Sequence, residues 1–205
     1  MPSVPPGPIQ DAIDAAVAAL RWDEVVVVPT DTVYGLAVRM SAAAVERLFE
    51  LKGRAADKPF AVLVGSREQA DALAADDPVA RRLMDRFWPG PLTIVTRRAD
   101  GIDFDLGGDP RTIGIRHPQS ELIAALAGAV GPLVTTSANR AGEPFLVSLG
   151  EIASTFGAEV TTVIDGGELT GEPSMVVDCS VTPLEVLRGG PIDEAEVRAA
   201  ANGLA

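Results

Sequence analysis

The feature that most constrains this chain is a steady exchange between two spacings of apolar residues. Short runs rich in β-branched residues recur at Val25 to Val28, Tyr34 to Val38, Phe60 to Val64, Leu92 to Thr96, Thr112 to Ile115, Leu133 to Thr136, Thr161 to Ile164, Met175 to Val177 and Leu184 to Leu187, and each reads as a strand. Stretches with helical spacing separate them at Ile9 to Arg21, Ala42 to Lys52, Arg67 to Ala75, Val79 to Phe87, Ser120 to Ala127, Leu149 to Phe156 and Glu194 to Ala201. Ser41, Ser66 and Ser148 stand where helix N-caps belong, and Ser148 is followed three residues later by Glu151, the spacing of a capping box. Strands such as Val25 to Val28 are continuously apolar and so need cover on both faces. The expected fold is α/β: a single layered domain with a twisted, mostly parallel or mixed sheet. Nothing reads as a linker, so residues 1–205 are expected to form one domain, with 1–8 flexible and 193–205 a C-terminal helix or tail.

The rare residues exclude whole mechanisms. The chain has one His (His117), one Cys (Cys179), one Tyr (Tyr34) and two lysines (Lys52 and Lys58) beside fifteen arginines. A disulfide needs two cysteines and a zinc site needs three or four His, Cys or carboxylate ligands, so stapled and zinc-finger classes are out and no metal-ligating set is assigned. A nucleophilic triad would have to use His117, and nothing near it resembles a nucleophile elbow. Cys179 lies in an apolar segment and reads as a core residue. The start lacks the basic and apolar regions of a secretory signal. The longest apolar run, Leu122 to Val134, falls short of the ~20 residues of a membrane helix and is broken by Gly128, Gly131 and Pro132. A cytoplasmic protein without membrane contact is expected. The net charge of −12 disfavours strong direct binding to nucleic acid or anionic lipid. A small anionic ligand responds instead to the field of its own cleft.

Five segments concentrate chemistry-bearing groups. Pro29 to Ala37 (PTDTVYGLA) follows an apolar strand and holds two hydroxyls, a carboxylate and the lone phenol, which suits either a ligand loop or a self-satisfied turn. Leu51 to Pro59 (LKGRAADKP) holds both lysines. A helix C-terminus explains Lys52 and Gly53, but Arg54 and Lys58 lie beyond the stop and suit a phosphate patch. In Thr112 to Pro118 (TIGIRHP), Arg116 ends a strand where its guanidinium suits a carboxylate, and His117 reads as structural. Leu133 to Gly142 (LVTTSANRAG) opens from a buried strand into hydroxyls and an amide suited to phosphate oxygens or a nucleoside. The fifth runs from Asp165-Gly166-Gly167 to Ser174 and its strand, with Arg188-Gly189-Gly190 after the next one.

Taken in order, PTDTVYGLA, KGR followed by KP, FWPGPLT, IRHP, TTSANRAGEP, DGG followed by PSMVVD, and VLRGGPI resemble the YrdC-like, or threonylcarbamoyl-AMP synthase, family from about Val25 to Ile192. The resemblance implies a YrdC-like fold with a deep basic cleft. It also implies synthesis of threonylcarbamoyl-AMP and pyrophosphate from L-threonine, bicarbonate or CO2, and ATP, for threonylcarbamoyladenosine modification of tRNA. Carried over by residue, it implies that Lys52 and Arg54 are catalytic and, with Ser137, Asn139, Ser174 and Arg188, bind ATP and the adenylate. Thr32, Tyr34 and Arg116 would seat threonine. Mg²⁺ would arrive with ATP, and partner proteins would take the labile product to tRNA. The chain departs from the family pattern at Ala55, Met175 and Gly189. It resembles the short form that has no extra C-terminal domain. The alternatives are an RNA-binding or ribosome-associated paralogue without synthase activity, and a paralogue that adenylates a different carbamate.

Overall fold

The computed structural model describes residues 8–53, 58–102 and 104–204. Sixteen main elements follow in chain order: α1 (Pro8–Arg21), β1 (Val26–Pro29), β2 (Tyr34–Arg39), α2 (Ala42–Lys52), β3 (Ala61–Leu63), α3 (Arg67–Leu73), α4 (Pro78–Phe87), β4 (Leu92–Arg97), β5 (Thr112–Arg116), α5 (Glu121–Val130), β6 (Leu133–Ser137), α6 (Leu149–Phe156), β7 (Thr162–Val163), β8 (Met175–Asp178), β9 (Glu185–Arg188) and α7 (Glu194–Ala201). Every expected strand and helix is present, with shifts at the ends. The helix expected over Arg67 to Ala75 stops at Leu73, because Ala74 turns extended and pairs in a bridge with Arg98. The helix expected to end at Ala127 runs on through Gly128 to Val130 and stops at Gly131, whose φ is 86°. The serine caps form as expected, and Ser148 with Glu151 makes the full capping box.

The strands form one open sheet in the order β7-β1-β2-β6-β3-β5-β4-β8-β9. It is mixed, the second of the two expected arrangements: five of its eight strand pairs are antiparallel and three parallel. The connection between β1 and β2 is only four residues, too short for a parallel crossover.

Alternation along each central strand serves two cores. Val25 and Val27 enter the layer with Leu36, Leu48, Val62 and Phe156, whereas Val26 and Val28 enter the layer with Leu20, Ala37, Ile123 and Leu126. Cover on both faces is why these strands read as unbroken apolar runs. A third cluster packs α4 and α7 against Leu92, Ile94, Met175 and Val177. Met175 is therefore a core residue on the face of β8 opposite Ser174 and Val176, and its departure from the family pattern does not reach the cavity described below. At Gly189, the second departure, an added Cβ would meet nothing within 4 Å. Ala55 lies outside the described residues. Among the described residues no helix is long and apolar enough to cross a membrane.

Candidate functional site

The central strands share a cavity of about 380 Å³. Small residues form its floor: in the sheet register Ala61 lies beside Gly114 on one side and Thr135 on the other, and Gly114 lies beside Val95. A Cβ on Gly114 would come no closer than 3.7 Å to the methyls of Thr93 and Val95. Gly114 interrupts an otherwise β-branched strand without being demanded by packing, as where a ligand passes close to the backbone. The charged side chains among the lining residues are Lys58, Arg116 and Arg188. Phe145 and Leu187, both largely exposed, add apolar surface to the lining.

In the loop between β1 and β2 both readings of the sequence hold, for different residues. Thr30 satisfies the turn: its hydroxyl donates to the Val33 carbonyl at 2.6 Å and accepts from the backbone N–H groups of Thr32 and Val33. Thr32 serves the cavity, and its buried hydroxyl accepts from Arg116 Nη1 at 3.0 Å. Tyr34 is fully buried. Its hydroxyl donates to Gly167 O at 2.7 Å and accepts from Gly166 N at 2.9 Å, so the phenol clips the glycine-rich loop to the end of the β1–β2 hairpin.

Arg116, at the end of β5, is buried and donates through Nε to Gly90 O at 3.1 Å. Its Nη2 forms an ion pair with Asp31, whose other oxygen accepts from Gln119 N at 3.1 Å. Burial pulls the Arg116 guanidinium below its ordinary pKa and Asp31 opposes that pull, but an arginine remains charged at any physiological pH. His117 points elsewhere: its ring lies edge-on to Trp88 with centroids 6.5 Å apart, and burial lowers its pKa.

Lys52 lies below the cavity lining. The residue is 4% exposed, and its ammonium donates to Ser137 O at 2.7 Å and Asn139 Oδ1 at 2.7 Å, so it ties the end of α2 to the loop after β6. Within that loop Ser137 Oγ donates to Asn139 Oδ1 at 2.6 Å. Ser137 lines the cavity, whereas Lys52 and Asn139 stand behind it. On the far wall Ser174 Oγ meets Thr93 Oγ1 at 2.8 Å, and Arg188 donates to Ser174 O at 2.8 Å and to its Oγ at 3.1 Å.

Of the residues singled out from sequence, Thr32, Tyr34, Arg116, Ser137, Ser174 and Arg188 line one space, and Lys52 and Asn139 support it. Arg54 lies outside the described residues. Sequence reasoning missed Asp31, Thr93 and Gly114 as contributors. Asp31 was visible as the lone carboxylate of its loop, and Gly114 as a glycine inside a strand. Thr93, one hydroxyl in an apolar run, carried no signal.

The family model covering Sua5, YciO and YrdC proteins, described as telomere recombination, matches residues 18–190. A Mycobacterium leprae protein named "Putative threonylcarbamoyl-AMP synthase" is 37% identical over 188 residues, which are 90% of this chain and 86% of that one. The threonylcarbamoyl-AMP synthase of Pyrococcus abyssi is 37% identical over 190 residues, and this chain spans 56% of its length. The structure of P. abyssi Sua5 complexed with L-threonine superposes with a TM-score of 0.86 at 35% identity, over 92% of this chain and 56% of that one. Escherichia coli YciO superposes with a TM-score of 0.83 at 29% identity, over 92% of this chain and 94% of that one. With a family model covering well over half its length and a relative 37% identical over 86% of that relative's own length, the chain belongs to the Sua5/YciO/YrdC family.

Proposed function

We propose that this protein is a cytoplasmic nucleotidyltransferase that makes threonylcarbamoyl-AMP from L-threonine, bicarbonate or CO2, and ATP, for threonylcarbamoyladenosine modification of tRNA. One observation carries the reading. A single cavity in a chain of this family gathers three cations with the hydroxyls of Thr32, Ser137 and Ser174, against a net charge of −12.

The chemistry needs no protein nucleophile. The threonine amine adds to the carbon of CO2 and loses a proton to water, forming a carbamate. A carbamate oxygen then attacks the α-phosphorus of ATP, and the bond to the bridging oxygen breaks as pyrophosphate leaves. The demands are proximity, shelter for a labile carbamate, and positive charge where the phosphates gain negative charge. In this assignment Arg116, with Thr32, receives the threonine carboxylate, and Tyr34 holds the adjoining glycine loop in place. Ser137, Ser174 and Arg188 grip the nucleotide, and Lys58 adds charge at the cavity. Lys52 and Asn139 act through the loop they fix, and the role assigned to Arg54 is to bind the ATP phosphates. Mg²⁺ enters as the ATP complex. Among the described residues no three His, Cys, Asp or Glu side chains gather as a ligand set, so phosphate oxygens and water are its natural ligands. Partner proteins would carry the labile product to tRNA.

The test is pyrophosphate release by the purified protein with L-threonine, bicarbonate and Mg-ATP. Threonine-dependent release with formation of the adenylate supports the reading. A folded sample showing none overturns it, and stimulation by a different amino acid would reassign the carbamate.

A further inference from the structure

We propose that Asp31 is a positioning residue for the amino-acid carboxylate: it holds the Arg116 guanidinium from behind so that the rest of that group faces the cavity. This rests on the reading of Arg116 given above.

Arg116 and Thr32 line the cavity and Asp31 does not. A guanidinium has five N–H groups. Nε–H goes to Gly90 O, one Nη1–H to Thr32 Oγ1 and one Nη2–H to Asp31, so among the described residues each terminal nitrogen keeps one N–H without a partner. One N–H on each terminal nitrogen is what a carboxylate needs to be gripped through both oxygens.

The Arg116 side chain is 6% exposed and that of Asp31 is 14% exposed. A cation buried to that degree is costly without a countercharge. Asp31 supplies one, and its second oxygen on Gln119 N ties the β1–β2 loop to the segment after β5. The pair is neutral before the ligand arrives. Recognition therefore depends on the fixed direction of the remaining N–H groups more than on net charge, and the direction is set by Asp31.

The experiment compares the full chain with Asp31→Asn and Asp31→Glu. Folding is followed by thermal denaturation, L-threonine affinity by calorimetry without ATP, and separate KM values for threonine and ATP by pyrophosphate release. Asp31→Asn is expected to weaken threonine binding and raise its KM by roughly 10-fold or more, with the ATP KM within about twofold. Asp31→Glu, which keeps the countercharge, falls between. If Asp31→Asn does not fold, Asp31→Glu decides alone, and unchanged threonine affinity in it overturns the proposal. Unchanged or tighter threonine binding in a folded Asp31→Asn also overturns it, since tighter binding would make Asp31 a competitor for Arg116. Equal losses for threonine and ATP would reduce Asp31 to a structural role. If the wild type binds a different amino acid and Asp31→Asn weakens that binding, the threonine reading fails and the role of Asp31 stands. No amino-acid binding by the wild type overturns both.

Discussion

Lys52 and Asn139, far apart in the chain, meet through buried atoms: the Lys52 ammonium lies 2.7 Å from Asn139 Oδ1 and also donates to the Ser137 and Asn139 carbonyls. The loop after β6 is therefore held by a charge behind it, while Ser137 presents its hydroxyl to the cavity.

Replacing Lys52 should damage the loop as well as the activity. Lys52→Ala strips buried carbonyls of a charged donor and should cost about 2–4 kcal/mol of stability. Turnover should fall by about 100-fold or more as the groups at Ser137 lose their positions. Lys52→Arg should not restore it, because a planar fork cannot replace a compact ammonium in a packed site. Thermal denaturation, amide exchange at Ala138 and Asn139, and pyrophosphate release check the three parts.

Gly114→Val should separate folding from binding. An added Cβ meets only ordinary contacts with Thr93 and Val95, and a β-branched residue suits a strand interior. It would also occupy the cavity floor. The melting temperature should change by a few degrees at most, on the scale of roughly 1 kcal/mol. Ligand affinity by calorimetry should fall by about 10-fold or more.

Ser174→Ala should leave the buried Thr93 hydroxyl without its partner and remove one contact to Arg188. The expected loss is about 1–2 kcal/mol. The double variant Ser174→Ala with Thr93→Val should recover part of it, since two apolar groups no longer leave a polar atom stranded. A thermodynamic cycle over the four proteins measures the coupling.

Cys179 should behave as an inert core thiol. Burial, with Asp77 and Asp178 nearby, pushes its pKa up from 9.0 to about 12. The native protein should react with a thiol reagent at pH 8 far more slowly than the denatured chain. The raised pKa also sets a sign for stability. The unfolded thiol ionises above about pH 9 and the folded one does not, so this contribution is full below pH 9 and declines as pH rises toward 12. Denaturant titrations from pH 8 upward should show Cys179→Ala losing less stability with pH than the wild type.

Much of the architecture was legible because it depends on neighbours a few residues apart. Strand and helix periods, the serine caps and the stop at Gly53 are settled by local backbone geometry and by which residues must leave water. The polar strand-end segments were legible as well, since so many hydroxyls, amides and cations exceed what turns require. The pairings inside the site were not. Asp31 and Arg116 stand 85 positions apart, and Tyr34 reaches Gly166 over 132. No local pattern says which carboxylate will face which arginine.

By itself the sequence determined that this chain would be a layered α/β domain, that it could use neither a disulfide nor a histidine-based nucleophile, and which polar segments stand at its strand ends. Only the tertiary structure decided the balance of parallel and antiparallel pairs, and which side of the cavity wall each polar residue takes. Strand order brings β1–β2, β5 and β6 into one neighbourhood, and burial then forces each charge to find a partner there. That is why the Lys52 ammonium, at the end of α2, holds the loop after β6, and why Asp31, never singled out, became the partner of Arg116.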